Sequence, residues 1–224
     1  MKNFPQTHVM FDLDGTLVDT RAAVTECYRK VFRSLLDADF PPEGVPEHDI
    51  FAMRPHELFA RVAPEKTELL FAAYRDTYPA CTDHISVFPG VADLIAELVR
   101  SGRKPSLVTN KGLERTLIDL GVAGIPSESF VAIVTAEDTV ERKPHPAPIL
   151  LGLDRAEANA ADAVYVGDGP QDVIAAHACG MPAIAVSYGF YDAAALAEHD
   201  PEALVASIAE LARCLDVALI GAAE

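Results

Sequence analysis

The sequence predicts an α/β protein: a parallel sheet with helices on both faces, interrupted near its start by an all-helical insert. Short apolar runs bounded by polar turns recur at Val9–Phe11, Ser106–Val108, Phe130–Val134, Ala163–Val166 and Pro182–Val186, with helical segments between the later ones. Runs with no polar alternation read as strands buried on both faces. Between Arg21 and Cys81 the apolar residues follow helical spacing only.

Each element has its own signal. The first run ends in Asp12-Leu13-Asp14-Gly15-Thr16, where the chain must turn at Gly15. Ala22, Cys27, Val31, Leu35 and Leu36 then mark a helix, broken by the segment from Asp39 to Pro46. A short helix around Glu57-Leu58-Phe59 ends before Pro64, which opens another that runs toward Tyr78 and stops at Pro79. Beyond Phe88-Pro89-Gly90 the alternation begins. Val91 to Val99 reads as a helix stopped by Ser101-Gly102, and Leu113 to Leu120 as one closed by Gly121. Another begins at Ala147, and Asp172 to Cys179 forms one that Gly180 stops. The tail predicts a helix from about Pro201, capped by Asp200 and ending before Gly221. The domains are therefore 1–19 with 86–224 as the core and 20–85 as the insert, with hinges at Asp19-Thr20 and Ile85 to Pro89.

Composition bounds the function. The chain has 224 residues and a formal net charge of -16, which leaves no basic stripe for a nucleic-acid backbone. The four cysteines, Cys27, Cys81, Cys179 and Cys214, match neither a zinc knuckle nor a CxxC pair and read as free thiols in a reducing compartment. The N-terminus has no apolar signal region and no run is long enough to span a membrane, so a cytoplasmic protein is expected. A small phosphorylated metabolite is the expected partner, to a monomer or homodimer, with no nucleic acid and no membrane.

Polar residues collect where strands end. Asp12 and Asp14, Thr109-Asn110, and Gly167-Asp168 each follow an apolar run. In open parallel sheets, sites form beyond the carboxyl ends of strands. Two carboxylates one residue apart repel unless a cation or a shared proton offsets them. That suits a divalent metal, a nucleophile and a proton donor in one place. Taken singly, Thr109-Asn110 fits a helix cap equally well, Lys143 a solvated loop charge, and Gly167-Asp168-Gly169-Pro170 an ordinary turn. The seven histidines show no ligand spacing.

Together, Asp12-Leu13-Asp14-Gly15-Thr16, Thr109-Asn110, Lys143 and Gly167-Asp168 through Asp172 resemble the four motifs of the haloacid dehalogenase-like phosphatases, in order and across almost the whole chain. Phe88-Pro89-Gly90-Val91, Lys111, Pro144 and Val186 to Phe190 resemble the phosphoglycolate phosphatase-like subgroup most. The resemblance implies a Rossmann-like parallel core with a helical cap that closes over substrate. It implies magnesium (Mg2+) as cofactor, held by Asp12, the backbone carbonyl of Asp14, and Asp168, with Asp172 supporting the site indirectly. Asp12 would be the nucleophile that forms an aspartyl-phosphate. Asp14 would protonate the leaving alcohol and then activate water. Thr109 and Asn110 would hold phosphoryl oxygens, and Lys143 would neutralise them.

Asp14 favours a phosphatase over a dehalogenase, because a halide needs no acid. Sugar-phosphate mutases of the superfamily carry a histidine where this chain has Arg21 to Val24, which weakens that alternative. The cap segment Ile50 to His56 lacks the glycine often found in the specificity loop. Arg54 is the candidate for a substrate carboxylate, by paired hydrogen bonds, with Met53 as an apolar wall. 2-Phosphoglycolate leads as substrate. Inorganic pyrophosphatase, nucleotide phosphatase, mutase and a non-enzymatic interaction role stand as alternatives.

Overall fold

The computed structural model describes residues 2–45, 50, 51 and 53–219. Pro46 and Gly221, named above, and His48, one of the seven histidines, lie outside the described residues. The chain divides into two compact units, Met1–Asp19 with Val87–Glu224, and Thr20–Ser86.

The larger unit holds a six-stranded sheet. Its strands are β1 (His8–Phe11), β4 (Lys104–Val108), β5 (Ala132–Val134), β6 (Ala163–Gly167), β7 (Ala183–Val186) and β8 (Ala203–Val205), in the order β5-β4-β1-β6-β7-β8. Every pairing is parallel. The short β2 (Val18–Asp19) and β3 (Ser86–Val87) form a separate two-stranded sheet. The chain leaves β1 and builds β4 and β5 on one side, then β6, β7 and β8 on the other. β1 is therefore the switch point of a Rossmann-like sheet, where crevices open beyond the strand ends.

Strand alternation sends Met10, Val108, Tyr165 and Ala185 to one face, into a core with Ile149 and Leu153 of α6 (Ala147–Arg155) and Val173 and Ala176 of α7 (Pro170–Ala178). The buried Val9, Phe11, Leu107, Val164 and Val166 alternate to the opposite face. Helices α4 (Val91–Arg100) and α9 (Ile208–Cys214), the latter following the short α8 (Ala193–Ala197), pack on each other, α4 against β4 and α9 against β8. Pro105 is accommodated inside β4. Its carbonyl accepts from Val131, so its N–H-less nitrogen faces the β5 side before β5 begins at Ala132.

The smaller unit is helical: α1 (Arg21–Leu36), α2 (Pro55–Val62) and α3 (Thr67–Thr77), with 3-10 turns at Pro64–Lys66 and Tyr78–His84. Its core is aromatic. Tyr28 and Tyr74 lie 4.9 Å apart by ring centroids, and Phe32 and Phe59 lie 6.1 Å apart. The left-handed Asp37, φ 49°, ends α1.

Two expectations are corrected. Gly121 does not close its helix: α5 runs Leu113–Val122, and the left-handed turn comes at Gly124, φ 65°. The tail does not begin a helix at Pro201. Asp200 takes φ 51°, and Ala203–Val205 pairs with β7 as the sheet edge. Glu202 fastens this edge by accepting from the Ala183 N–H at 2.7 Å. Backbone pairing here overrides the helical preference of Pro-Glu-Ala-Leu. The true helix starts after Ser207, whose Oγ accepts from the Glu210 N–H at 3.2 Å.

Candidate active site

The register of β1 builds the site. Phe11 is level with Leu107 of β4 and Val166 of β6, so Asp12 is the first residue past the strand, with Thr109 and Asp168 beyond the ends of its neighbours. The Asp12 N–H donates to Val166 O at 2.9 Å, extending the ladder by one bond. The chain then folds back, with Leu17 and Val18 N–H groups on Leu13 O and Gly15 at φ 77°. A Cβ on Gly15 would lie 2.0 Å from Asp168 Oδ2, and one on Gly189 would lie 2.3 Å from Gly15 O and 2.5 Å from Asp168 Cβ. The two glycines admit the Asp168 carboxylate between their loops. There its Oδ2 accepts from the Phe190 N–H at 2.6 Å.

Lys143 is 2% exposed, so it is no solvated loop charge. Its ammonium donates to Val108 O at 2.9 Å, Tyr165 OH at 2.7 Å and Asp172 Oδ1 at 2.7 Å. Tyr165 OH donates in turn to Val108 O at 2.7 Å. Those three acceptors use all three ammonium hydrogens. Asp12 Oδ1 lies 3.0 Å from the same ammonium, a buried ion pair. The other Asp172 oxygen accepts from the Gly169 N–H at 3.0 Å.

Thr109 and Asn110 do not cap α5. Asn110 is tied to the Lys143 main chain, and Thr109 Oγ1 accepts from the Lys111 N–H at 3.2 Å. The α5 N-terminus is served by Glu137, which accepts from the Leu113 N–H. Asp14 accepts from Lys111 Nζ at 2.8 Å, and Lys111 also pairs with the wholly buried Asp119. Met53 and Arg54 belong to the helical unit, where the Arg54 N–H donates to Glu57 at the start of α2.

Sequence reasoning missed Asp119 and Tyr165, and it named Lys111 without giving it a role. Tyr165 reads as a core aromatic in a strand. Asp119 lies on a helix whose leucines suggest the buried face, yet Leu113 and Leu117 are exposed while Thr116 and Asp119 are buried. Lys111 follows Asn110 directly, and that adjacency was the available signal.

The charges are strongly coupled. Burial, with help from Asp172 and Asp14, pushes the Asp12 carboxyl up to about 6 against the pull of Lys143. Burial, then Asp172 and Asp12, hold Asp168 well above the usual carboxylate range. Burial works against the Lys143 charge, but Asp12 and Asp172 outweigh it and raise its pKa. Carboxylate oxygens of Asp12, Asp168 and Asp172 lie within 4.8 Å of one another. Three hard-oxygen donors crowded to that degree, two of them resisting ionisation, fit a divalent cation. Asp12 and Asp168 suit direct ligation. Asp172 has both oxygens engaged, by Lys143 and Gly169, and suits a supporting position.

The sequence model of the haloacid dehalogenase-like hydrolases matches residues 9–186. The chain is 30% identical over 221 residues to phosphoglycolate phosphatase 1 of Pseudomonas aeruginosa, covering 94% of this chain and 80% of that one. It is 28% identical over 217 residues to pyrophosphatase PpaX of Bacillus pumilus, covering 96% of each. Among solved structures, CbbY of Rhodobacter sphaeroides in complex with phosphate superposes with a TM-score of 0.83 at 27% identity, over 94% of this chain and 99% of that one.

Proposed function

Because the chain belongs to the haloacid dehalogenase-like hydrolase family, in its phosphoglycolate phosphatase-like subgroup, we propose that it is a magnesium-dependent hydrolase of small phosphate monoesters acting through an aspartyl-phosphate. The observation that carries this is the placement of Asp12: a buried carboxylate at the switch-point strand end, 3.0 Å from the Lys143 ammonium and within 4.8 Å of the Asp168 and Asp172 carboxylates. A carboxylate so placed can meet a phosphoryl group beside the cation that offsets its charge.

In the first step an Asp12 oxygen bonds to phosphorus as the ester P–O bond breaks. The electron pair goes to the alcohol oxygen, which takes a proton from Asp14. In the second step water attacks the same phosphorus, gives its proton to Asp14, and Asp12 leaves. Lys143 offsets the charge of the phosphoryl oxygens beside Asp12. Asn110 already spends its side-chain oxygen and one amide hydrogen on Lys143, so it would meet the phosphoryl group with its second amide hydrogen or its main-chain N–H. A cation on Asp12, the Asp14 carbonyl and Asp168 would screen the repulsion between the nucleophile and the phosphate.

2-Phosphoglycolate is the favoured substrate, supported by the phosphatase relative that bears that name. Arg54 is the residue we assign to its carboxylate. Pyrophosphate is the second reading, supported by the match of nearly the same length to a pyrophosphatase. The test is phosphate release from a panel of small esters and pyrophosphate, with magnesium and with chelator, beside Asp12→Asn. Magnesium-dependent preference for 2-phosphoglycolate supports the first reading. Preference for pyrophosphate moves the substrate and keeps the chemistry. Silence on the whole panel from folded protein rejects both.

A further inference from the structure

Behind Asp14 lies a buried ion chain to which the mechanism above gives no part. Lys111 has a side chain 3% exposed, with Nζ 2.8 Å from Asp14 Oδ1 and paired on its other side with Asp119. Asp119 is 0% exposed, in the middle of α5. On the same helix Leu120 is buried beside it, while Leu113 and Leu117 are left 46% and 45% exposed. A buried Lys–Asp pair costs desolvation that an apolar pair would not, so it contributes little to stability. Its consequence is geometric. The Lys111 main chain is held at both ends, its N–H on Thr109 Oγ1 and its carbonyl accepting from Ala136 at 2.9 Å. With Asp119 fixing the ammonium as well, the charge beside Asp14 has one position.

We infer that Lys111, anchored by Asp119, is a positioning residue for Asp14, fixing the carboxyl group that exchanges a proton with the leaving group and then with water. This rests on the phosphatase reading. An oxygen that accepts an ammonium hydrogen is not the one that carries the acid's own proton. During ester cleavage that proton passes to the alcohol oxygen as the P–O bond breaks, and Oδ1 stays on Lys111.

The test uses leaving groups. p-Nitrophenolate departs without protonation, whereas the alkoxide of 2-phosphoglycolate needs the acid. First-turnover release from the two esters is compared in wild type, Lys111→Arg, Asp119→Asn and the double variant Lys111→Met with Asp119→Leu. The double variant replaces the buried pair by apolar groups, which proteins commonly tolerate. Thermal melting confirms folding. The inference expects the ratio of alkyl to aryl first-turnover rates to fall by about tenfold or more in the double variant, within the range ascribed to general acids. A smaller fall of the same sign is expected in Asp119→Asn. Equal losses on both esters would make Lys111 a phosphate-binding or merely structural residue and overturn the inference. An unchanged ratio with unchanged rates would overturn it too. A wild type that turns over neither ester removes the phosphatase reading and this inference with it.

Discussion

Asn110 and Lys143 are joined by two reciprocal hydrogen bonds, Asn110 Nδ2 to Lys143 O and Lys143 N–H to Asn110 Oδ1, each 3.1 Å. The pair clips the loop after β4 to the loop that carries the ammonium, across 33 residues of sequence. Lys143 thus enters the site from a loop, yet it is held as firmly as a strand residue. Its peptide bond to Pro144 is cis.

Asn110→Asp should therefore damage Lys143 rather than only a phosphate contact. Asp can accept from the Lys143 N–H but cannot donate to its carbonyl. Loss of one partner in a shielded pair costs about 1–3 kcal/mol. We expect kcat to fall more than tenfold, with a lower melting temperature. Unchanged kcat and melting would show that the clip is dispensable.

Lys143→Met should be the more severe change. It leaves Asp12 and Asp172 buried without their cation, a loss of about 3–5 kcal/mol. Lys143→Arg should not restore activity, because a planar guanidinium cannot point three donors at Val108 O, Tyr165 OH and Asp172 Oδ1 from one atom. Melting curves and kcat of both variants check this. An active Lys143→Arg would refute the point-charge account.

Tyr165→Phe removes one acceptor from Lys143 and one donor from Val108 O. The expected result is a several-fold drop in kcat, little change in KM, and a stability loss of about 1 kcal/mol. A change confined to KM would place Tyr165 in substrate binding instead.

The Asp12 shift sets a pH signature. Its folded pKa, about 6, lies above the ordinary carboxylate value of about 3.8, so the folded state holds a proton that the unfolded state has lost in this window. For this group the stabilisation is full below about pH 4 and is lost as pH rises through about 6. Without metal, stability should fall over that range. Magnesium requires the ionised carboxylates, so its binding should release protons and tighten as pH rises through about 6. Calorimetry in buffers of different ionisation enthalpy reads the proton count directly. Affinity that is flat with pH and without proton release would contradict the assignment.

Gly189→Ala tests the Asp168 cradle. The new Cβ would sit 2.3 Å from Gly15 O and 2.5 Å from the Asp168 side chain, so the loop or the carboxylate must move. Disturbing a ligand's surroundings commonly costs 10–100-fold in metal affinity, and about that loss is expected for magnesium. Unaltered magnesium affinity would show that Asp168 does not depend on the cradle.

Much of this was legible in the chain. The β1, β4 and β6 runs are too apolar for one-sided burial, and their polar ends name the site because parallel register brings strand ends together. Asp12, Asp14, Lys143, Asp168 and Asp172 could be read from motif and order. The β8 edge could not, because Ala203-Leu204-Val205 carries no strand signal apart from the β7 backbone it pairs with. Nor could the burial of Thr116 and Asp119 on α5, because Leu113 and Leu117 suggest a different inward face and the charge that Asp119 meets, on Lys111, lies outside the helix. Tyr165 looked like packing because its ring is buried, while its hydroxyl bonds Lys143 and Val108 O.

The central claim is that Asp12 carries the phosphoryl group. Rapid quenching of wild type with substrate and magnesium, followed by borohydride reduction and peptide mass spectrometry, tests it most directly. The account predicts reduction of the Asp12 side chain to the alcohol, dependent on both substrate and magnesium. Phosphate release from Asp12→Asn at the wild-type rate, or a reduced carboxylate at any other residue, would contradict it.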